Sequence, residues 1–331
     1  MRWTLNKFAN CGSLAIAKWM ALVATGTLYS ASSLAQTDPD EWLERMSGVV
    51  GTADYEGTVI RLQNGKADTL KVAHRIVDGV VNEKLISLEG NGLEIIRIGN
   101  EVHCILPDKK YVLVEEWNNQ STLFSALPSN VVRYGPQYNV SLVREDRVAG
   151  RSSVMLAIRP HDEFRYGHRI WLDNENSFPL KTELVDVNGE VIEQIKFADI
   201  RFGENVAEDI LAPSVNIDSF TWYKEPSRSQ IVAVETDWNS NDLPAGFQTV
   251  SAKKEQKDEE SEAVTHIVYS DGLANVSVFV AENSDKETAG PSHVGTSNSY
   301  SLKQGDYHIT AVGKVPLTTV RRIATSMSMG Q

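Results

Sequence analysis

A chain of 331 residues, 41% of them hydrophobic, is long enough to bury one large core or two modest ones. Its 32 basic residues face 44 acidic ones, a formal net charge of −12 that argues against nonspecific nucleic-acid binding and a polybasic membrane patch. Two cysteines, Cys11 and Cys104, are too few for a disulfide framework.

The N-terminus begins with the basic residues Arg2, Lys7 and Lys18, and residues 20–28 are apolar but too short to span a bilayer. Ser33-Leu34-Ala35 spaces small residues three apart, and the chain turns polar at Gln36. Residues 1–35 therefore read as a secretory signal peptide cut after Ala35. Cleavage removes three basic residues and no acidic one, leaving 29 against 44, a net charge of −15. Cys104 is then the lone cysteine, and stability has to come from a core.

A short helix is expected next, capped by Asp38 with Pro39 in its first turn and Glu41 at capping-box spacing. Trp42, Met46, Val49 and Val50 share one face of it. From 55 to 202 the text is strand-like, with strands predicted at 57–62, 69–77, 80–88, 93–98, 101–106, 140–148, 153–159, 168–172, 180–187 and 191–202. Asn64-Gly65, Asp78-Gly79, Gly90-Asn91-Gly92, Gly99-Asn100 and Asn188-Gly189 supply hairpin turns, so neighbours should pair antiparallel. Residues 120–127, ended by Pro128, form the one helical interruption. About ten strands in this length require a curled sheet or a partly closed barrel with the opening helix against it. Such a sheet either encloses an apolar hollow or is simply filled, and Trp42 and Met46 are the candidate residues for lining a lipid cavity.

The pattern breaks between Glu204 and Ser229, where Pro213 and Pro226 bracket a polar, irregular stretch, giving domains at 36–205 and 230–331 with a linker at 206–229. The second domain carries candidate strands at 230–235, 265–269, 274–281, 297–302 and 307–313. A helix follows Pro316, its apolar stripe formed by Val320, Ile323, Ala324 and Met327. The runs 253–262 and 282–296 read as solvated loops. The fold class is mainly β with α+β character: a large half-open antiparallel barrel or curved sheet with a helical lid, plus a smaller antiparallel sheet with a packed helix.

Catalytic signatures are absent: no Gly-x-Ser-x-Gly, no His-Glu-x-x-His, no P-loop and no dinucleotide-binding glycine pattern. His161, Asp162, Glu163 and His168 make the best metal candidate, yet Pro160 and Gly167 mark an exposed loop, and no metal or cofactor is assigned. His74, His103 and Cys104 read as packed strand residues, and the carboxylate pairs Glu115-Glu116, Glu145-Asp146 and Asp162-Glu163 diverge on strands. The chain reads as a binding protein rather than an enzyme.

The run Ile170-Trp171-Leu172 through Pro179 and Gly189 to Phe197 resembles the hairpin of the LolA/LolB lipoprotein-carrier fold. Tyr269-Ser270-Asp271-Gly272, with Leu243-Pro244-Ala245-Gly246-Phe247 upstream and Val315-Pro316-Leu317 downstream, resembles the C-terminal domain of the RseB/MucB family. Leu93 to Val102 extends the likeness into the first domain. The family often has Trp before Leu-Pro-x-Gly-Phe, where Asp242 stands here. The resemblance implies a periplasmic negative regulator of a sigma-E-type envelope stress response. Its partner would be the periplasmic part of a single-span anti-sigma factor, shielded from proteolysis and released by lipopolysaccharide or another lipid, with a homodimer as a candidate assembly. Pro244, Gly246, Phe247, Tyr269, Ser270, Asp271 and Gly272 are its candidate partner-binding residues, although each also has a simple reading as turn or core. The rival is a lipid or lipoprotein carrier of the LolA/LolB type.

Overall fold

Tight turns dictate the topology of the first sheet. Asn64 and Gly65 both hold positive φ, as do Asp78 and Gly79 and also Ala149 and Gly150, the geometry that matches the right-handed twist of the strands they join. The computed structural model describes residues 38–116, 122–124, 127, 136–203, 206–224, 236–255, 263–282 and 289–330. The expected signal peptide, the expected strand at 230–235 and most of the expected helix at 120–127 lie outside them. The described residues of that helix, 122–124 and 127, are in turns and bends.

The chain opens with α1 (Pro39–Val50), where the Asp38 carboxylate accepts from the Asp40 amide at 3.1 Å. One meander follows: β1 (Tyr55–Gln63), β2 (Lys66–Val77), β3 (Val80–Ser87), β4 (Glu94–Ile98), β5 (Glu101–Leu106) and β6 (Tyr111–Glu116). A second runs through β7 (Tyr138–Val148), β8 (Arg151–Pro160), β9 (Gly167–Asp173), β10 (Pro179–Val185) and β11 (Val191–Phe202). Antiparallel pairing of β1 with β11 joins the two meanders into one curved, open sheet of twelve strands, with β7 at one edge. Gly57 sits at that seam, where an added Cβ would lie 2.4 Å from the Asp199 carbonyl oxygen.

Leu43, Met46 and Val50 of α1 pack onto one face of the sheet with Tyr55, Val59, Leu156, Ile170, Phe178 and Phe197. Edge-to-face aromatic contacts centred on Phe178 fill this side, with ring centroids 4.7 Å from Tyr55 and 5.1 Å from Phe202.

The stretch expected as a linker is not a free tether where it is described. Ile217 and Phe220 cover Ile96, Ile105, Val112 and Val114 on the opposite face. Lys84, buried beside Glu94 at 3.2 Å, donates to the Ala212 carbonyl at 2.6 Å, and Glu94 accepts from the Ser214 amide. The chain then adds β12 (Thr221–Lys224), parallel to β6, at the second edge of the large sheet. Neither strand was expected, because β6 lacks glycine turns and β12 is short and bounded by polar text.

The second domain begins with β13 (Trp238–Ser240), followed by β14 (Gln248–Glu255), β15 (Val264–Ser270) and β16 (Asn275–Glu282). It continues with β17 (Gly290–Val294), β18 (Ser297–Gln304), β19 (Tyr307–Gly313), α2 (Leu317–Thr325) and β20 (Met327–Met329). Six strands form an antiparallel sheet in the order β14-β15-β16-β19-β18-β17, and β13 pairs with β20 separately. Val320, Ile323 and Ala324 press α2 onto this sheet. Met327 is buried with them but belongs to β20, just past the helix. Two expected solvated loops are partly strand: residues 253–255 finish β14 and residues 290–294 make β17. Lys254 and most of residues 290–294 are exposed while the backbone pairs, so composition alone hid these strands.

Candidate functional site

The connection between β8 and β9 was expected to be an exposed loop, but it docks on the second domain. The His161 amide donates to the Gln137 carbonyl at 2.9 Å, and the Asp162 carboxylate accepts from the Phe164 amide at 3.0 Å. This fold of the loop projects Arg165 across the junction, where it is 0% exposed.

A guanidinium removed from water needs compensation from every side. Arg165 Nη1 lies 3.3 Å from Asp271 Oδ2, Nε lies 3.4 Å from Asp162, and Nη2 donates to the Ala245 carbonyl at 2.7 Å. Its planar group also faces the rings of Tyr138 and Phe247, at 5.4 and 5.1 Å from their centroids. Asp271 works in two directions. Its Oδ1 accepts from the Leu273 and Ala274 amides at 2.9 and 2.7 Å, shaping its own turn, while Oδ2 accepts from the Tyr138 hydroxyl at 2.8 Å. Burial, followed by the charge of Asp271, raises the Tyr138 phenol far above its ordinary range, so it stays a proton donor.

Around this clasp the junction is mostly polar. Glu193 accepts from Lys314 at 2.8 Å and from Thr296 at 3.0 Å, and Asn64 donates to the Gly295 carbonyl at 2.8 Å. Asn298 donates to the Tyr166 hydroxyl at 3.0 Å and Thr319 to the Phe164 carbonyl at 2.6 Å. Leu273 adds an apolar contact with the core of the first domain. His168 on β9 lies close to Glu193 and Lys314; burial first, and then the Lys314 charge, push it down to about 4.

The candidate partner-binding residues thus gather at the domain junction or behind it. Asp271 and Phe247 touch Arg165, and Pro244 is buried one turn away. Tyr269, 0% exposed, belongs to the second core, where its hydroxyl accepts from the Ser240 amide at 3.0 Å. Ser270 is buried and its hydroxyl accepts from the Gly272 amide at 3.0 Å, so both serve the same turn as Asp271. Gly246 and Gly272 are exposed, with φ of 87° and 98°. Asp242, exposed, pairs with Arg322 at 2.5 Å. Met46 is wholly buried in the first core, whereas Trp42 is half-buried with Arg45 stacked over it at 4.4 Å. Among the described residues no cluster of three or more His, Cys, Asp and Glu forms a metal site. Sequence reasoning missed Arg165 and Tyr138. The available signal was an arginine set between Phe164 and Tyr166 in a Pro160–Gly167 loop.

Family models described as the MucB/RseB N-terminal domain and the MucB/RseB C-terminal domain match residues 38–215 and 232–328. The sigma factor AlgU regulatory protein MucB of Pseudomonas aeruginosa is 29% identical over 320 residues, covering 92% of this chain and 96% of that protein. The sigma-E factor regulatory protein RseB of Escherichia coli K12 is 26% identical over 315 residues, covering 94% and 97%. MucB solved in complex with MucA(peri) superposes with a TM-score of 0.67 at 29% identity, over 89% of this chain and 100% of that one. The complex of Pseudomonas aeruginosa MucA/MucB gives 0.66 over 89% and 99%, and the crystal structure of MucB gives 0.59 over the same shares, both also at 29% identity.

Proposed function

The chain belongs to the MucB/RseB family, and from that premise we propose that it binds the periplasmic segment of a membrane-spanning anti-sigma factor and shields it from regulated proteolysis. In this reading the protein is exported to the periplasm, has no catalytic role of its own, and releases its partner when lipid or lipopolysaccharide-type signals of envelope stress accumulate. The observation that carries it is the likeness, along both domains, to MucB solved with MucA(peri). Regulation by occlusion asks only for a surface complementary to one segment and a second ligand that prefers the unbound form.

The rival, a lipoprotein carrier, needs an apolar hollow for its cargo. Here the helix-covered face is filled by Met46, Tyr55, Phe178 and Phe197. A groove of about 420 Å³ on the opposite face has Lys71, Lys84, Asp199 and Arg201 among its walls, which do not suit an acyl chain.

A pull-down with residues 36–331 against detergent-solubilised envelope from the protein's own cell tests the proposal. Enrichment of a single-span protein whose cytoplasmic part holds a sigma factor is the expected result. Recovery of lipoproteins or lipid without such a protein would transfer the assignment to the carrier.

A further inference from the structure

Arg165 belongs to neither hydrophobic core, yet it is the largest fully buried side chain among the described residues. All its compensation except Asp162 and Tyr138 comes from the other domain: Asp271, the Ala245 carbonyl and the Phe247 ring. A mostly polar junction would ordinarily let two domains reorient. One fully buried charge, hydrogen-bonded to the Ala245 carbonyl and paired with Asp162 and Asp271, changes that, because a rotation would separate the guanidinium from Asp271 and from that carbonyl together. The likeness to solved relatives adds an independent observation: at 29% identity and 89% of this chain each, it superposes on the two structures of MucB with MucA at TM-scores of 0.67 and 0.66 and on the crystal structure of MucB at 0.59.

We propose that the Arg165–Asp271–Tyr138 clasp locks the two β-domains in the arrangement that receives the anti-sigma segment, making Arg165 and Asp271 positioning residues for a partner they need not touch. The proposal rests on the anti-sigma reading above. Its energetic logic is preorganisation: an arrangement already held costs nothing to adopt on binding, whereas a loosened pair binds with its affinity divided by the fraction of time it is correctly set.

The informative variants are Asp271→Asn, which keeps the oxygen that caps the turn and removes the charge, and Tyr138→Phe, which removes only the hydroxyl. Each is compared with the unaltered chain, residues 36–331, in two measurements. One is the small-angle X-ray scattering profile of the free protein, and the other is the affinity for the purified periplasmic segment of its own anti-sigma factor. Asp271→Asn should increase the radius of gyration and weaken binding at least tenfold, with unchanged far-ultraviolet circular dichroism; Tyr138→Phe should do the same in smaller measure, about threefold. Unchanged scattering in both variants, or a loosened protein that binds as tightly as before, would overturn the clasp. If Asp271→Asn fails to fold, Tyr138→Phe carries the decision alone. Failure of the unaltered chain to bind the segment at all refutes the anti-sigma reading instead, while the scattering comparison still decides whether the clasp sets the domain angle.

Discussion

Arg165 and Asp271 show how much one buried pair can demand of its surroundings. Removing one partner leaves the other charge out of water, which in proteins costs about 3–5 kcal/mol, whereas replacing both by neutral groups of similar volume is often tolerated. Arg165→Ala should therefore lower the free energy of urea unfolding by about that amount. The double variant Arg165→Met with Asp271→Asn should recover at least half of the loss; strictly additive losses would show that the two side chains are not coupled. Cys104 illustrates the opposite case, a side chain with chemistry it cannot use. Burial, aided by Glu115, pushes its thiol up to about 11, so little thiolate exists at neutral pH. Iodoacetamide should label it slowly in the folded protein and rapidly in 6–8 M urea, a denaturing range chosen as roughly beyond ordinary midpoints; equal rates would contradict that burial.

At the scale of elements, turn chemistry did most to make the fold legible. Asn-Gly and Asp-Gly pairs placed β1, β2 and β3 to within three residues at each end, and the 3.6-residue stripe placed α2. What lacked such a signal was missed: β6 and β12 pair at an edge, and β14 and β17 carry side chains whose composition resembles a loop. Edge strands are often short and carry charged or polar side chains, so the compositional signal of a strand fades there. The β1–β11 seam holds the two meanders together, and Gly57 permits its close approach. Gly57→Ala places a methyl group against backbone rather than a yielding side chain, so it should destabilise the first domain by about 1–3 kcal/mol. Urea unfolding of the two forms checks this, and an unchanged midpoint would mean that the seam can shift without cost.

At the scale of the whole molecule, a large curved sheet and a smaller one could be read from sequence but their docking could not. Residues 161–166 announce a loop by Pro160 and Gly167, and nothing local distinguishes a loop in water from one pressed on a neighbour; that information lies in Asp271, more than a hundred residues away. The same distance hides the environment of His168. Its ring lies near Glu193 of β11 and Lys314 of the second domain, with Asp271 contributing a weaker field, and its protonation is disfavoured from the ordinary 6.5 down to about 4. Between those values the unfolded chain binds a proton that the folded chain refuses, so stability falls as pH drops from 6.5 towards 4 and levels off below. The full shift corresponds to an upper limit of about 3 kcal/mol. Because Lys314 is the second cause of the shift, the strain of charging His168 is concentrated where the domains meet, and acid should loosen the junction before it melts either core. His168→Gln removes the titration and keeps a polar side chain. Urea midpoints measured at pH 6.5, 5.5 and 4.5 should fall more steeply for the unaltered protein than for this variant; parallel lines would mean that His168 is hydrated in the folded state and that the junction draws its acid sensitivity from elsewhere.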